Sequence, residues 1–174
     1  MPRIALYTFG ILREPMGHEQ VQGFFDRIDS VFASVEKSEG FIGRNKESRD
    51  VYVSPRFFDK NIHAGAPATL SWWKDLESVC AFAYRGIHGE AMKHRYEWFL
   101  DSYWPTYVAW WIDDEHVPTR IEAAAKLEYL YDNGPGKLAF DFKHPFDSEG
   151  NPVEFDRKLM ELRINSNKEK ENLN

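Results

Sequence analysis

Two stretches of helical periodicity, each set between runs of strand-forming residues, constrain this chain more than any other feature. In His18–Ser38, the residues Val21, Phe24, Phe25, Ile28, Val31, Phe32 and Val35 recur on one helix face. Asp26, Arg27, Asp29 and Lys37 fall on the others, and Gly40 follows as a stop. In Leu76–Phe99, the residues Leu76, Val79, Cys80, Ala83 and Ile87 form a second apolar stripe, and Asp75 stands at the N-cap position. Gly86 and Gly89 are points where this helix can bend. Around the two helices lie Arg3–Phe9, Phe41–Asn45 with Val51–Phe57, Ala68–Trp73 and Thr106–Ile112, all short and rich in β-branched and aromatic residues. The order strand, helix, strand, strand, helix, strand is the ferredoxin-like βαββαβ pattern, an α+β fold with an antiparallel sheet.

In that pattern the two long helices cover one face of the sheet. The other face is still apolar, so the expectation is a homodimer that presses two such faces together. Beyond the last strand, Thr119 and Glu122 make a capping-box pattern for a third helix running to Leu130. Asn133-Gly134-Pro135-Gly136 ends it, and Leu138–Phe142 reads as short and extended. The chain of 174 residues divides into a domain over 1–145 and a C-terminal extension over 146–174. The extension turns polar from Asn165 and is expected to be partly disordered.

The formal charge of -6 argues against a nucleic acid partner, and no apolar run reaches the roughly 20 residues of a membrane span. One cysteine, Cys80, and a start without an apolar leader-like region lead to the expectation of a cytoplasmic protein. Six tryptophans and an aromatic share of 16% exceed what a core of this size requires, which fits an apolar cavity or an interface.

The stretches SWWKDLESVCAFAYRGIHGEAMKHRYEWF, YVAWWIDDEHVPTRIEAAAKLEYL and GPGKLAFDF carry a family likeness over roughly residues 4–142. Through Trp73, Phe82, Tyr84, Arg85, His88, Arg95, Trp98, Phe99, Trp110, Trp111, Pro118, Thr119, Glu122, Gly134, Pro135 and Phe140, the chain resembles a domain family of unknown function. That family is placed in the dimeric α/β-barrel superfamily, which includes the antibiotic-biosynthesis monooxygenases. A more distant likeness is to spheroidene monooxygenase. The resemblance implies a dimeric α/β barrel with an extra C-terminal helix. The superfamily holds cofactor-free oxygenases, haem enzymes, dehydratases and small-molecule binders, so the resemblance leaves the activity open. Where the family carries a basic residue before Arg95, this chain has His94.

On a continuous helix, Tyr84, His88, Met92, Arg95 and Phe99 would share one stripe beside the core stripe. His88 is then a haem-iron ligand with Arg85 or Arg95 meeting a propionate, a general base, or a histidine hydrogen-bonded to a neighbouring backbone group or carboxylate at the helix edge. Tyr84 and Phe99 would complete the cofactor contacts. His94 lies nearer the core stripe and reads as structural. Trp72 with Trp73 and Trp110 with Trp111 are adjacent on strands, so each pair splits between the two faces of the sheet. Trp73, Trp98, Trp110 and Trp111 are the candidate substrate contacts, with core packing as the alternative. Tyr7, Tyr52 and Tyr107 are candidate hydroxyl donors. Arg44 and Arg56 either face a cavity or protect strand edges. The run Asp113–His116 reads as a solvated loop rather than a metal site.

The resulting expectation is a monooxygenase-like oxidoreductase acting on an apolar or aromatic metabolite, with haem possible and His88 and Arg95 as catalytic residues. The competing expectations are a non-catalytic haem or hydrophobic-ligand binder, and a cofactor-free dehydratase, cyclase or isomerase. Fold analogy alone does not choose among them.

Overall fold

Residues 3–9 are apolar on both sides because the strand they form, β1 (Arg3–Phe9), separates two cores. Ile4 and Leu6 belong to one core, and Ala5, Tyr7 and Phe9 to the other. The computed structural model, which describes residues 1–46 and 53–172, pairs β1 with β3 (Ala68–Trp73) and with β4 (Tyr107–Ile112). β2 (Phe41–Arg44) adds to the far side of β3. The sheet order is β2-β3-β1-β4, with every neighbour antiparallel. Of the expected strand Val51–Phe57, residues 51 and 52 lie outside the described residues. Residues 53–57 form coil and a turn closed by Phe58 N donating to the Pro55 carbonyl at 3.0 Å, not a strand.

The adjacent tryptophans split as their alternation requires. Ala5 stands opposite Trp72 and Trp110, and Ile4 opposite Trp73 and Trp111. Trp73 and Trp111 lie on the face that packs against α2 (Ile28–Lys37) and α3 (Leu76–Ala83), where Val35, Leu76 and Val79 are buried. Trp110 lies on the other face. That face is not open: α6 (Arg120–Asn133) covers it with Ala123, Leu127 and Leu130. Phe57, Phe58 and Trp104 close its margin. A sheet-to-sheet dimer would have to displace α6, so the reason for expecting one is gone.

Neither long helix is continuous, and the same device breaks both. In the first, α1 (Glu19–Phe25) ends where the Arg27 side chain donates to the Gly23 carbonyl at 2.6 Å. The Arg27 N–H then bonds Phe24 instead, at 3.2 Å, and α2 starts afresh. In the second, α3 ends where the His88 ring takes the Ala83 carbonyl at 2.8 Å. Arg85 is extended and Gly86 adopts φ +58, a left-handed conformation that costs glycine little. α4 (Gly86–Lys93) and α5 (Arg95–Trp98) follow as separate pieces, so the single stripe from Tyr84 to Phe99 does not exist.

After α6, Phe140 makes a two-bond bridge to Ala109, which brings 140–155 against the α2–α3 side of the sheet. Within the C-terminal extension, residues 157–172 are helical. α7 (Arg157–Asn172) is capped by Asp156 and packs on α3 and α2. α7 includes residues 165–172, where composition led to an expectation of disorder. Glu39 makes many of its contacts. Its carboxylate meets Lys170 at 2.7 Å, Ser166 at 3.3 Å and Arg163 at 3.2 Å, and its N–H donates to Asn167 at 2.7 Å. These contacts supply the binding that the segment's sparse apolar residues lack. No described helix is long and apolar enough to cross a membrane.

Candidate functional site

A cleft of about 320 Å³ opens where α7 leans over the end of α3. α3 and its exit supply Cys80, Tyr84 and Arg85; the strap after β4 supplies Phe142, Lys143 and Phe155; α7 supplies Met160 and Ile164. The cleft is at the small end of the roughly 300–1,000 Å³ typical of ligand sites. Phe142 is its centre, with Tyr84 at 6.2 Å, Tyr107 at 5.1 Å and Phe155 at 6.2 Å between ring centroids.

The polar groups here are conditioned by burial. Tyr107 accepts the Phe142 N–H at 3.2 Å, and its phenol is paired with that of Tyr84. Burial pushes the pKa of both phenols up, so each remains protonated at neutral pH and serves as a hydrogen-bond donor rather than a base. Burial also pushes the Cys80 thiol up to about 12, which leaves it a small apolar wall and not a nucleophile. Arg85 and Lys143 are exposed at the rim.

Of the residues singled out from sequence, Tyr84 and Arg85 line this cleft, and Tyr107 stands directly behind it. His88 does not line it. Its ring packs on Phe82 at 4.7 Å and its Nδ1 bonds Ala83, the helix-edge arrangement foreseen as an alternative. Arg95 lies elsewhere, with its guanidinium over the Tyr96 ring at 4.0 Å and bonded to the Met92 carbonyl at 3.3 Å and the Tyr96 hydroxyl. Phe99 packs on Phe24 at 5.1 Å. The four tryptophans are internal fixtures. Trp73 bonds Ser71 at 2.9 Å, Trp110 bonds Glu122 at 2.7 Å and Trp111 bonds the Phe146 carbonyl at 2.7 Å, while Trp98 is buried against Phe24 at 5.9 Å. His94 is partly buried, bonded to Glu97 at 2.8 Å and stacked on Trp98 at 5.9 Å.

Tyr7 is fully buried, and Tyr52 lies outside the described residues. Arg44 stacks on Phe32 at 4.1 Å and pairs with Glu36, and Arg56 ties its loop to Asp132, so neither faces a cavity. Among the described residues no group of acidic, histidine or cysteine side chains could hold a metal ion.

Haem does not fit these residues. His88 is committed to closing α3, Arg95 to α5 and Phe99 to α1, and no described cleft joins them. Sequence reasoning missed Phe142, Phe155, Met160 and Ile164. The only signals were the aromatics of 140–155 and the i, i+4 pair Met160 and Ile164 in a segment otherwise too polar to suggest packing.

A family model described as "Domain of unknown function (DUF3291)" matches residues 3–156. The match therefore ends one residue before α7 begins. No curated protein matches the chain. Among solved structures, a crystal structure of the NE2512 protein of unknown function from Nitrosomonas europaea is similar, at 12% identity and a TM-score of 0.45. The likeness covers 68% of this chain and 97% of that one.

Proposed function

This chain belongs to the DUF3291 family, whose function is unknown, and from its own geometry we propose that it is a small-molecule-binding domain that holds an apolar or aromatic ligand between α3 and α7. The observation that carries the reading is the cleft around Phe142, walled by apolar groups and furnished with one protonated phenol, Tyr84, held from behind by Tyr107. Apolar walls with a few fixed polar groups are the usual make-up of ligand sites.

The test uses 2-naphthamide, a flat neutral probe. Calorimetric titration should give saturable one-site binding. Ile164→Asp places a charge on the apolar wall and should abolish binding, while Ile164→Val should keep it. Absence of binding to the wild type, or binding undiminished in Ile164→Asp, would sink the assignment.

A second reading keeps an enzyme: a monooxygenase-like oxidoreductase working on the same ligand. In its favour, Tyr84, backed by its bond to Tyr107, is a donor able to stabilise an oxyanion developing on a bound aromatic. The sheet order β4-β1-β3-β2 also supports the ferredoxin-like fold of the barrel superfamily. Oxygen uptake dependent on a bound ligand, and lost in Tyr84→Phe, is the outcome this reading requires.

A further inference from the structure

We infer that the ligand of this cleft is an amphipathic acid, with an apolar body against Phe142, Phe155 and Ile164 and one carboxylate at the rim between Arg85 and Lys143. The inference rests on the cleft being a ligand site and adds the chemical class of what enters it.

The chain carries 28 acidic against 22 basic residues, so its cations have carboxylates to meet. Some do: Arg3 meets Asp114, Arg44 meets Glu36, Arg163 meets Asp75 and Lys170 meets Glu39. Arg85 and Lys143 are among the described cations without such an ion pair, and both line the cleft around Phe142. The acid nearest Lys143 in sequence makes no ion pair with its ammonium, though its charge does reach Tyr84. Asp141 turns its Oδ1 to the N–H groups of Lys143 and His144, each at 2.9 Å, and to the His144 ring at 3.1 Å.

Arg85 is placed where it is by the break between α3 and α4, in an extended conformation (φ −134, ψ 171) that ends one helix and precedes the next. A guanidinium and an ammonium flanking an apolar recess match a carboxylate on an apolar body: the fork takes two oxygens and the lysine adds a point charge. Tyr84, protonated, offers a third donor. A phosphate fits less well, because phosphate cradles use backbone N–H groups at a helix start, and Gly86, the first residue of α4, does not line this cleft.

The experiment compares 2-naphthoate with its neutral isostere 2-naphthamide by calorimetry at low salt. Wild type should bind the acid about tenfold or more tightly than the amide. In Arg85→Met/Lys143→Met that preference should vanish while amide affinity holds. In Arg85→Lys/Lys143→Arg it should persist. Lys60→Met, outside the cleft, should behave as wild type. Equal affinity of the two probes in wild type, or a preference that survives the double methionine variant, overturns the inference and leaves the cleft assignment standing. Failure of both probes to bind removes the cleft assignment itself, and this inference with it.

Discussion

Arg163 and Asp75 meet at 2.8 Å, and through that contact a single carboxylate serves two helices. Asp75 Oδ1 caps α3 by accepting from Ser78 N at 2.7 Å, while its Oδ2 holds α7. The guanidinium also reaches Glu39, and only 15% of the Arg163 side chain is exposed, so solvent screens the cluster incompletely. Arg163→Met should therefore cost about 1–3 kcal/mol. In a chain of this length that is a fall of roughly 2–4 °C in Tm for each kcal/mol. A melt superimposable on wild type would show that α7 is not held there.

Deletion of residues 165–174 should also lower Tm by several degrees, because it removes the Ser166, Asn167 and Lys170 contacts to Glu39. The polar composition of NSNKEKENLN suggests the reverse. Thermal melts of the full chain and of a chain ending at Ile164 decide between them.

His88→Ala should be a stability variant. The ring closes α3 on Ala83 and packs against Phe82, so its loss should cost about 2 kcal/mol while 2-naphthamide affinity stays within twofold or so of wild type. Burial holds the folded-state pKa of His88 below its ordinary 6.5. The unfolded chain then binds the proton more readily than the folded one. The stability due to neutral His88 is complete above pH 6.5 and falls as pH drops from there toward the lowered folded value. Losses from Glu39, held below its ordinary 4.5 chiefly by its bond to Lys170, begin only at that lower pH. Denaturant midpoints between pH 7 and 5 should fall for wild type and fall less for His88→Gln. Parallel curves would count against a buried neutral imidazole.

Glu122 joins β4 to the loop before α6: Oε1 accepts from the Trp110 indole and Oε2 faces His116, both at 2.7 Å. Trp110 is 1% exposed, so Glu122→Ala leaves a buried N–H without its acceptor. A loss of about 1–3 kcal/mol should follow, with a change in tryptophan emission. Glu122→Gln keeps an acceptor oxygen and should lose less.

Gly89 lets α4 approach the backbone of Tyr84. A Cβ at that position would stand 2.8 Å from both the carbonyl carbon and the carbonyl oxygen of Tyr84. Because backbone must give way, Gly89→Ala should cost about 1–3 kcal/mol and weaken naphthamide binding by moving Tyr84. Gly136→Ala, where an added methyl meets nothing within 4 Å, is the matched control.

Much of the α+β framework was legible in the residues themselves. β1, β3 and β4 lie within one residue of where short runs of β-branched and aromatic residues put them, because strand preference is largely a local property of the chain. The split of Trp72/Trp73 and Trp110/Trp111 between two faces follows from the period of two along a strand. Asp75 and Thr119 cap helices where short-range hydrogen bonding favours them. Tertiary structure decided the rest. Whether Arg27 and His88 would take the carbonyls of Gly23 and Ala83 depended on what packed around each side chain, and apolar periodicity runs through both breaks unchanged. Which face α6 would cover, and whether a polar C-terminal helix would dock on Glu39, depended on contacts more than a hundred positions apart in the second case. The cleft exists only because those choices bring Tyr84, Phe142 and Ile164 together, and no local pattern links residues so far apart along the chain.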